Sequence, residues 1–324
     1  MKLGIVGTGR IAKRFVPEAR TVKGIEIETV CNPHRESAKQ FAEEMGILNY
    51  TYRIEELAEQ VDAVYVATPH ETHYDYTKAM LMRGKHVLCE KPMVFSRQQA
   101  EELFNLAREY NCILMEGIKT AYCPGFQALL EVVGKGEIGR IRDVEACFSR
   151  LTSSDMREMK DDRYGGSFTE FGTYTLLPIM KLLGMNEVKT DFWMIPEENG
   201  IDGYAKVSVD YGEAIGLSKT GLTVKSEGQL IIAGSEGYIV VQAPWWLTRH
   251  FDIRREDPNQ REDFDFPYEG QGLRYEIKTF VDKISGIGNN EIGVSPSESI
   301  WLADKMESFL KYRETIKIFG KKPI

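Results

Sequence analysis

The sequence predicts an α/β fold in two parts: a doubly wound parallel sheet, then an α+β domain with an open, mostly antiparallel sheet. Three observations carry this. Over roughly the first 120 residues, short apolar runs alternate with amphipathic segments, as strands and helices do when they take turns. After Pro124 the alternation gives way to strand-like stretches punctuated by glycines and charges. The 324 residues exceed one ordinary core and fit two domains of roughly 100–200 residues each. The boundary is placed between residues 122 and 123, giving domains 1–122 and 123–324.

The elements follow in order. Lys2 to Val6 reads as a strand, then Gly7-Thr8-Gly9 as a turn and Arg10 to Thr21 as a helix. Ile25 to Cys31 is a second strand, Arg35 to Met45 a second helix, and Ile54 to Ala58 a short helical piece. Ala63 to Ala67 is continuously apolar, as a parallel strand covered on both faces must be. His73 to Arg83 is helical, His86 to Cys89 a buried strand, Gln98 to Tyr110 a helix and Ile113 to Glu116 a strand. Beyond Pro124, helices are expected over Gly125 to Val133, Ser167 to Leu183, Leu273 to Ile284 and Pro296 to Lys311. Strands are expected over Ile141 to Arg150, Ala205 to Tyr211, Glu213 to Ser218, Gln229 to Ala233 and Tyr238 to Gln242.

Composition narrows the function. A net charge of -8 argues against nucleic acid as a partner, since a polyanion wants a basic face. Cys31, Cys89, Cys112, Cys123 and Cys147 are scattered, with no CxxC pair, so neither a disulfide framework nor a metal site is expected. The N-terminus MKLGIVGTGR reaches a glycine turn too soon to hold a signal-peptide core, and no stretch approaches the ~20 apolar residues of a membrane helix. A cytoplasmic protein with no membrane partner is expected.

The segment from Gly4 to Ala12 carries G-x-G-x-x-A, with Gly7, Gly9 and Ala12, between a strand and a helix. That context makes it a dinucleotide fingerprint, and the first domain a Rossmann domain. Gly7 allows the tight turn, Gly9 lets the backbone approach a pyrophosphate, and Ala12 permits close helix–strand packing. The pyrophosphate would rest on helix amides near Thr8, Arg10 and Ile11. At the end of the second strand, the place of the acid that holds NAD ribose is taken by Asn32. Asn32 can bond a ribose hydroxyl without repelling a phosphate. His34 and Arg35 could reach a 2′-phosphate or equally be solvated helix-start residues, so the reading is NADP or NAD, leaning to NADP.

Two further strands end in Val66-Ala-Thr-Pro-His-Glu-Thr-His73 and Gly84-Lys-His-Val-Leu-Cys-Glu-Lys-Pro92. Ligands of open α/β sheets bind outside the carboxyl ends of strands. Ala67, Thr68, Pro69, His73, Glu90 and Lys91 gather there, and Pro92 biases Lys91 away from the helical region. This run, AVYVATPHETHYDYTKAMLMRGKHVLCEKP, resembles the glucose-fructose oxidoreductase / inositol dehydrogenase / rhizopine-catabolism (Gfo/Idh/MocA) family, whose hallmark is Glu-Lys-Pro. The resemblance implies that Lys91 contacts cofactor and substrate and tunes the catalytic acid/base.

The family's other motif resembles G-G-x-x-x-D-x-G-x-H. Here Gly165 to Tyr174 reads GGSFTEFGTY, with Glu170 in the Asp place, Tyr174 in the histidine place, and Leu177 where a carboxylate often follows. Tyrosine at that place resembles the branch of glucose-fructose oxidoreductase and dimeric dihydrodiol dehydrogenase, and implies Tyr174 as general acid/base. An unperturbed Tyr has a pKa near ~10, so it needs a positive neighbour, for which Lys91 is the candidate. Lys119 and Tyr122 are placed near nicotinamide or substrate. Asp161, Asp162, Arg163 and Tyr164 read first as a solvated loop, while Trp245, Trp246 and Arg249 could stack on a sugar or bury in a dimer contact.

The expected activity is hydride transfer between nicotinamide and a secondary alcohol or carbonyl of a sugar, polyol or related small molecule, in a homodimer or homotetramer formed through the C-terminal sheet. The rival readings are an NAD-dependent glycoside hydrolase using a transient oxidation, and a non-catalytic dinucleotide sensor.

Overall fold

The computed structural model describes residues 1–287 and 292–319. The chain forms two compact units. Of the described residues, the first takes Met1–Tyr122 and Glu269–Ala303, and the second takes Cys123–Tyr268 and Asp304 onward.

The first unit begins with strictly alternating elements: β1 (Lys2–Val6), α1 (Arg10–Ala19), β2 (Glu26–Cys31), α2 (Arg35–Met45), β3 (Asn49–Thr51), α3 (Ile54–Gln60) and β4 (Ala63–Val66). It continues with α4 (His73–Leu81), β5 (His86–Glu90), α5 (Arg97–Glu109) and β6 (Leu114–Gly117). The strands pair parallel in the order β3-β2-β1-β4-β5-β6. The order reverses at β1/β4, which is where such sheets open a crevice at their carboxyl ends. All four residues of β4 are buried, because helices cover both faces of the sheet. On one face Phe15 of α1 stacks on Tyr65 with centroids 3.6 Å apart. On the other, Val64, Val66, Val87 and Cys89 pack against Met80, Leu81 and Leu103.

The second unit is built from α6 (Pro124–Gly134), β7 (Ile141–Ser149), the short α7 (Arg157–Lys160), α8 (Ser167–Leu183), β8 (Lys189–Pro196), β9 (Asp202–Asp210) and β10 (Ile215–Gly221). It continues with β11 (Leu230–Gly234), β12 (Tyr238–Val241), β13 (His250–Arg254) and β14 (Arg261–Asp265). The sheet order is β14-β13-β12-β11-β7-β10-β9-β8, and among the described residues only β7 and β10 pair parallel. Helix α8 lies on β7 and β10. A Cβ added at Gly216 would come 2.4 Å from Ile179 Cγ2, so the glycine is what admits the helix. Thr175 and Ser218 join helix to sheet through hydroxyls 2.6 Å apart.

Two helices close the chain, α9 (Leu273–Ile284) and α10 (Pro296–Phe319). Here the structure departs from the domain division expected from sequence, which gave all of 123–324 to the second domain: residues 269–303 return to the first unit. The cause is Glu18 of α1, 5% exposed, which accepts hydrogen bonds from the Arg274 guanidinium at 3.0 and 3.1 Å and from the backbone N–H groups of Gln271 and Arg274 at 3.2 Å. A second departure is at residue 213. The expected strand from Glu213 starts at Ile215, because Gly212 (φ +79°) turns the chain there.

Candidate active site

At the end of β1, Gly7 has φ +105°, and an added Cβ would lie 2.5 Å from the Ala67 carbonyl oxygen. Glycine is therefore required by the protein itself. Its N–H donates to Cys31 O at 2.8 Å and ties the β1 end to β2. Gly9 is different: a Cβ there would meet no protein atom within 4 Å. The space it leaves lies before the N-terminus of α1, where no side chain caps the free amides. That open, uncapped end is where an anion is stabilised. Thr8 is half-buried, Ile11 likewise, and Arg10 is exposed.

Asn32 follows β2. Its Nδ2 donates to Thr8 Oγ1 at 2.8 Å, and its Oδ1 accepts from the His34 N–H at 2.9 Å. One side chain thus fixes both the glycine turn and the start of α2. His34 and Arg35 are exposed. The Arg35 guanidinium sits 5.9 Å from the ring centre of Tyr52, a residue absent from the sequence candidates. A dinucleotide fits this set: the unfilled side of Gly9, uncapped amides, and a polar, cationic rim formed by Asn32 and Arg35.

The ends of β4 and β5 meet beside it. Buried Tyr65 donates to Glu90 Oε1 at 2.5 Å, and the Lys91 N–H donates to Glu90 Oε2 at 3.3 Å. Burial pushes the Glu90 carboxyl up, against the opposing pull of Lys91. Thr68 is half-buried and Pro69 exposed. His73, expected from sequence to meet the cofactor, is fully buried. Its ring nitrogens lie 2.9 Å from Pro92 O and 3.0 Å from Thr68 O, so it ties the two strand-end turns together from beneath. Lys119, half-buried, donates from Nζ to Gln271 O at 2.9 Å. Tyr122, expected near the substrate, is buried with its hydroxyl on Glu116 O at 2.9 Å. Glu116 itself accepts from the Met93 N–H at 2.9 Å, and burial pushes it up to about 7.

The second unit carries Tyr174, half-buried on α8. The N-terminus of α8 is held by buried Asp202, whose Oδ2 accepts from the Phe168 N–H at 2.7 Å and from Ser167 Oγ at 2.8 Å. Fully buried Arg313 reaches Gly165 O at 2.6 Å and Asp202 Oδ1 at 3.4 Å, fixing the glycine pair. Around Tyr174 the side chains are aromatic. Phe148 lies 5.3 Å from its ring, stacks on Phe171 at 4.2 Å, and stacks on Trp246 at 3.6 Å. Glu170 pairs with Arg157 at 3.5 Å. Trp245 is a core residue, donating from Nε1 to Cys147 O at 2.8 Å, which leaves Trp246 as the accessible member of the pair. Asp161 accepts the N–H groups of Arg163 and Tyr164 at 3.0 and 2.8 Å and shapes its own loop. Arg249 lies over Tyr268 at 5.1 Å. His250, Asp252 and Asp263 cluster on β13 and β14, but Arg254 and Arg261 already pair with those carboxylates.

Sequence reasoning missed Tyr65, Glu116, Glu276, Tyr52 and Phe148. Two of them carried a signal. Tyr65 is the one hydroxyl in the apolar run Ala63-Val-Tyr-Val66. Glu276 lies on the apolar stripe Leu273, Ile277, Phe280 of α9, where a charge is out of place.

Comparison with known proteins agrees with a dinucleotide-binding first unit. Residues 1–118 match the model of an oxidoreductase family with an NAD-binding Rossmann fold. The human trans-1,2-dihydrobenzene-1,2-diol dehydrogenase is 29% identical over 323 residues, 96% of each chain. The Bacillus subtilis scyllo-inositol 2-dehydrogenase (NADP(+)) IolU is 26% identical over 295 residues, 88% of each. The fold is shared with the Actinomadura kijaniata 3-ketoreductase KijD10, described in complex with NADP and TDP-benzene (TM-score 0.81, 24% identity, 95% of this chain and 96% of that one). With its fingerprint, its Glu-Lys-Pro turn and relatives matched along most of its length, the chain is similar to the Gfo/Idh/MocA family of oxidoreductases.

Proposed function

We propose that this protein is an NAD(P)-dependent dehydrogenase or reductase that acts on a secondary alcohol or carbonyl of a sugar, polyol or cyclic diol. The observation that carries the reading is Gly9, a glycine that the protein's own packing does not require, at the uncapped start of α1. Bound nicotinamide supplies the hydride acceptor or donor at its C4. The residues of the chain do the rest. The α1 amides and Asn32 hold the dinucleotide, with Arg35 toward a 2′-phosphate, so NADP is the preferred cofactor. Tyr174 takes the hydroxyl proton in oxidation and returns it in reduction. Lys91, its N–H held on Glu90, is the cation proposed to support that proton transfer.

The flat stack of Trp246 on Phe148 beside Tyr174 favours a ring substrate with an apolar face. The relatives' names, dehydrogenases of an inositol and of a dihydrobenzene diol, point the same way. Among the described residues no helix is long and apolar enough to cross a membrane, and the five cysteines are buried free thiols, consistent with work in a reducing cytoplasm. The test is a screen of cyclic polyols, sugars and diols at the nicotinamide absorbance band, with NAD and NADP in parallel. Steady production of reduced cofactor is expected with at least one substrate. Product formed without net change in the cofactor would instead support a transient-oxidation hydrolase.

A further inference from the structure

We propose that Glu276 is a positioning residue of the dinucleotide-binding unit: a carboxyl that carries a proton at neutral pH and so leaves the negative charge beside Lys91 to Glu90. The proposal rests on the reading of that unit as a dinucleotide site. Glu276 is fully buried, and among the described residues neither of its oxygens has a hydrogen-bond partner. Its place is close beneath the Glu90–Lys91 turn. A Cβ added at Gly117 would stand 3.6 Å from Glu276 Oε2 and 3.7 Å from Glu90 Cα, so the missing side chain at 117 is what lets the two approach. The two carboxyls are unequal. Glu90 receives the Tyr65 hydroxyl and the Lys91 N–H, while Glu276 receives nothing. Hydrogen bonds to a carboxylate favour its charged form, and burial without them favours the acid. Of a coupled pair, the bonded member takes the charge and the bare one takes the proton.

The groups around Glu276 agree. Glu90 faces it from β5, and Lys119 and Tyr122 from the turn after β6. Glu116 lies beside Glu90, and Glu298 of α10 faces Tyr122. On α9 itself, Arg274 is committed to Glu18 and Glu269, and Lys278 to Asp282. Lys119 is the cation that opposes the burial of Glu276, yet its Nζ is engaged with Gln271 O. Burial and the charge of Glu90 hold the Glu276 carboxyl well above the usual carboxylate range. Ionising it sets a second negative charge beside Glu90, draws Lys119 from Gln271, and weakens binding of an anionic dinucleotide.

The experiment compares wild type, Glu276→Gln and Glu276→Leu by thermal unfolding and by NADPH fluorescence titration between about pH 5 and pH 9. An acid whose folded-state pKa is raised contributes stability below its unfolded pKa, and that stability is lost as pH rises through the folded value. Wild type therefore falls behind either neutral variant as pH rises, by up to about tenfold in the folding equilibrium per pH unit. The Tm difference between variant and wild type should grow with pH. NADPH affinity of wild type should fall about tenfold on the alkaline side, the scale of a one-unit coupling between charges, and the variants should lack that fall. A Tm difference independent of pH overturns the proposal, as does an alkaline loss of affinity that persists in both variants. The thermal readout needs no cofactor, so a protein that bound no dinucleotide would refute the site reading while the protonation of Glu276 was still decided.

Discussion

At the scale of single residues, the reading makes its sharpest demands of Lys91 and Tyr174. Tyr174→Phe removes only a hydroxyl from a ring whose packing on Phe148 stays intact. Lys91→Met removes the charge and keeps much of the stem. Each change should lower kcat on the order of 10²–10⁴-fold, the scale of general acid–base catalysis. The double variant should lose much less than the product, because residues acting as one are not additive. NADPH titration of Tyr174→Phe should match wild type, and full kcat in that variant removes the tyrosine from the mechanism. Cofactor choice turns on Arg35, exposed and poised over Tyr52. Arg35→Ala should weaken NADPH far more than NADH, by roughly 1.5–3 kcal/mol, the worth of a charge-assisted hydrogen bond. Equal losses for both cofactors would reduce Arg35 to a helix-start charge. These candidates could be named from sequence because their signals are local: a lysine between Glu and Pro, a tyrosine two places after a glycine. His73 and Tyr122 are buried, which the sequence does not report because a strand end looks alike from above and beneath. What separates a cofactor contact from a buried tie is depth, which depends on Pro92 and Thr68 for one and on Glu116 for the other.

At the scale of elements, the β1–turn–α1 unit separates two uses of glycine that sequence alone treats as one motif. Gly7 is demanded by backbone: φ +105° and a carbonyl 2.5 Å from any Cβ. Gly9 is demanded by nothing in the protein. Gly7→Ala should therefore lower Tm, and cofactor binding with it. Gly9→Val should leave Tm near wild type and weaken NADPH by about 1–3 kcal/mol, the cost of an overpacking clash against the ligand. The pair is read by thermal unfolding and by titration, and a large Tm loss in Gly9→Val would show that the turn is only structural. The helices and the buried parallel strands were readable because each repeats its own period over enough residues. The strands that escaped notice did so for physical reasons. β3 is three residues long, and β14, Arg-Glu-Asp-Phe-Asp, is a largely exposed edge whose polarity hides its pairing with β13. β8, the opposite edge, alternates weakly because Trp193 and Ile195 on its outward side are apolar too.

At the scale of the whole chain, the boundary after Tyr122 was visible as a change of pattern, but the return of α9 to the first unit was not. It rests on an ion pair between Glu18 and Arg274, 256 positions apart, and no local period reports such a partner. That outward apolar side of β8 bears on assembly. Trp193 and Ile195 are 53% and 56% exposed, and Ile215 of β10 is 50% exposed. On the same face Leu217 stands opposite Glu145, which in turn pairs with Ile231, and all three are half-buried. The other face is covered: Phe192 of β8 packs on Phe309 and Tyr312 of α10. A sheet with helices on one side leaves Trp193, Ile195 and Ile215 on the other among charged side chains such as Lys206 and Glu145, and a second copy of the same sheet can cover that mixed face with a two-fold axis. We therefore expect a homodimer in which each subunit buries about 800 Å², the usual scale for a stable contact. Light scattering behind gel filtration at micromolar concentration should give twice the chain mass. Trp193→Glu with Leu217→Glu sets four like charges into the two-fold contact and should return the chain mass, with Tm of the monomer and NADPH affinity little changed because neither residue belongs to the first unit. A wild type that runs as a monomer, or a dimer indifferent to both charges, would put the contact elsewhere.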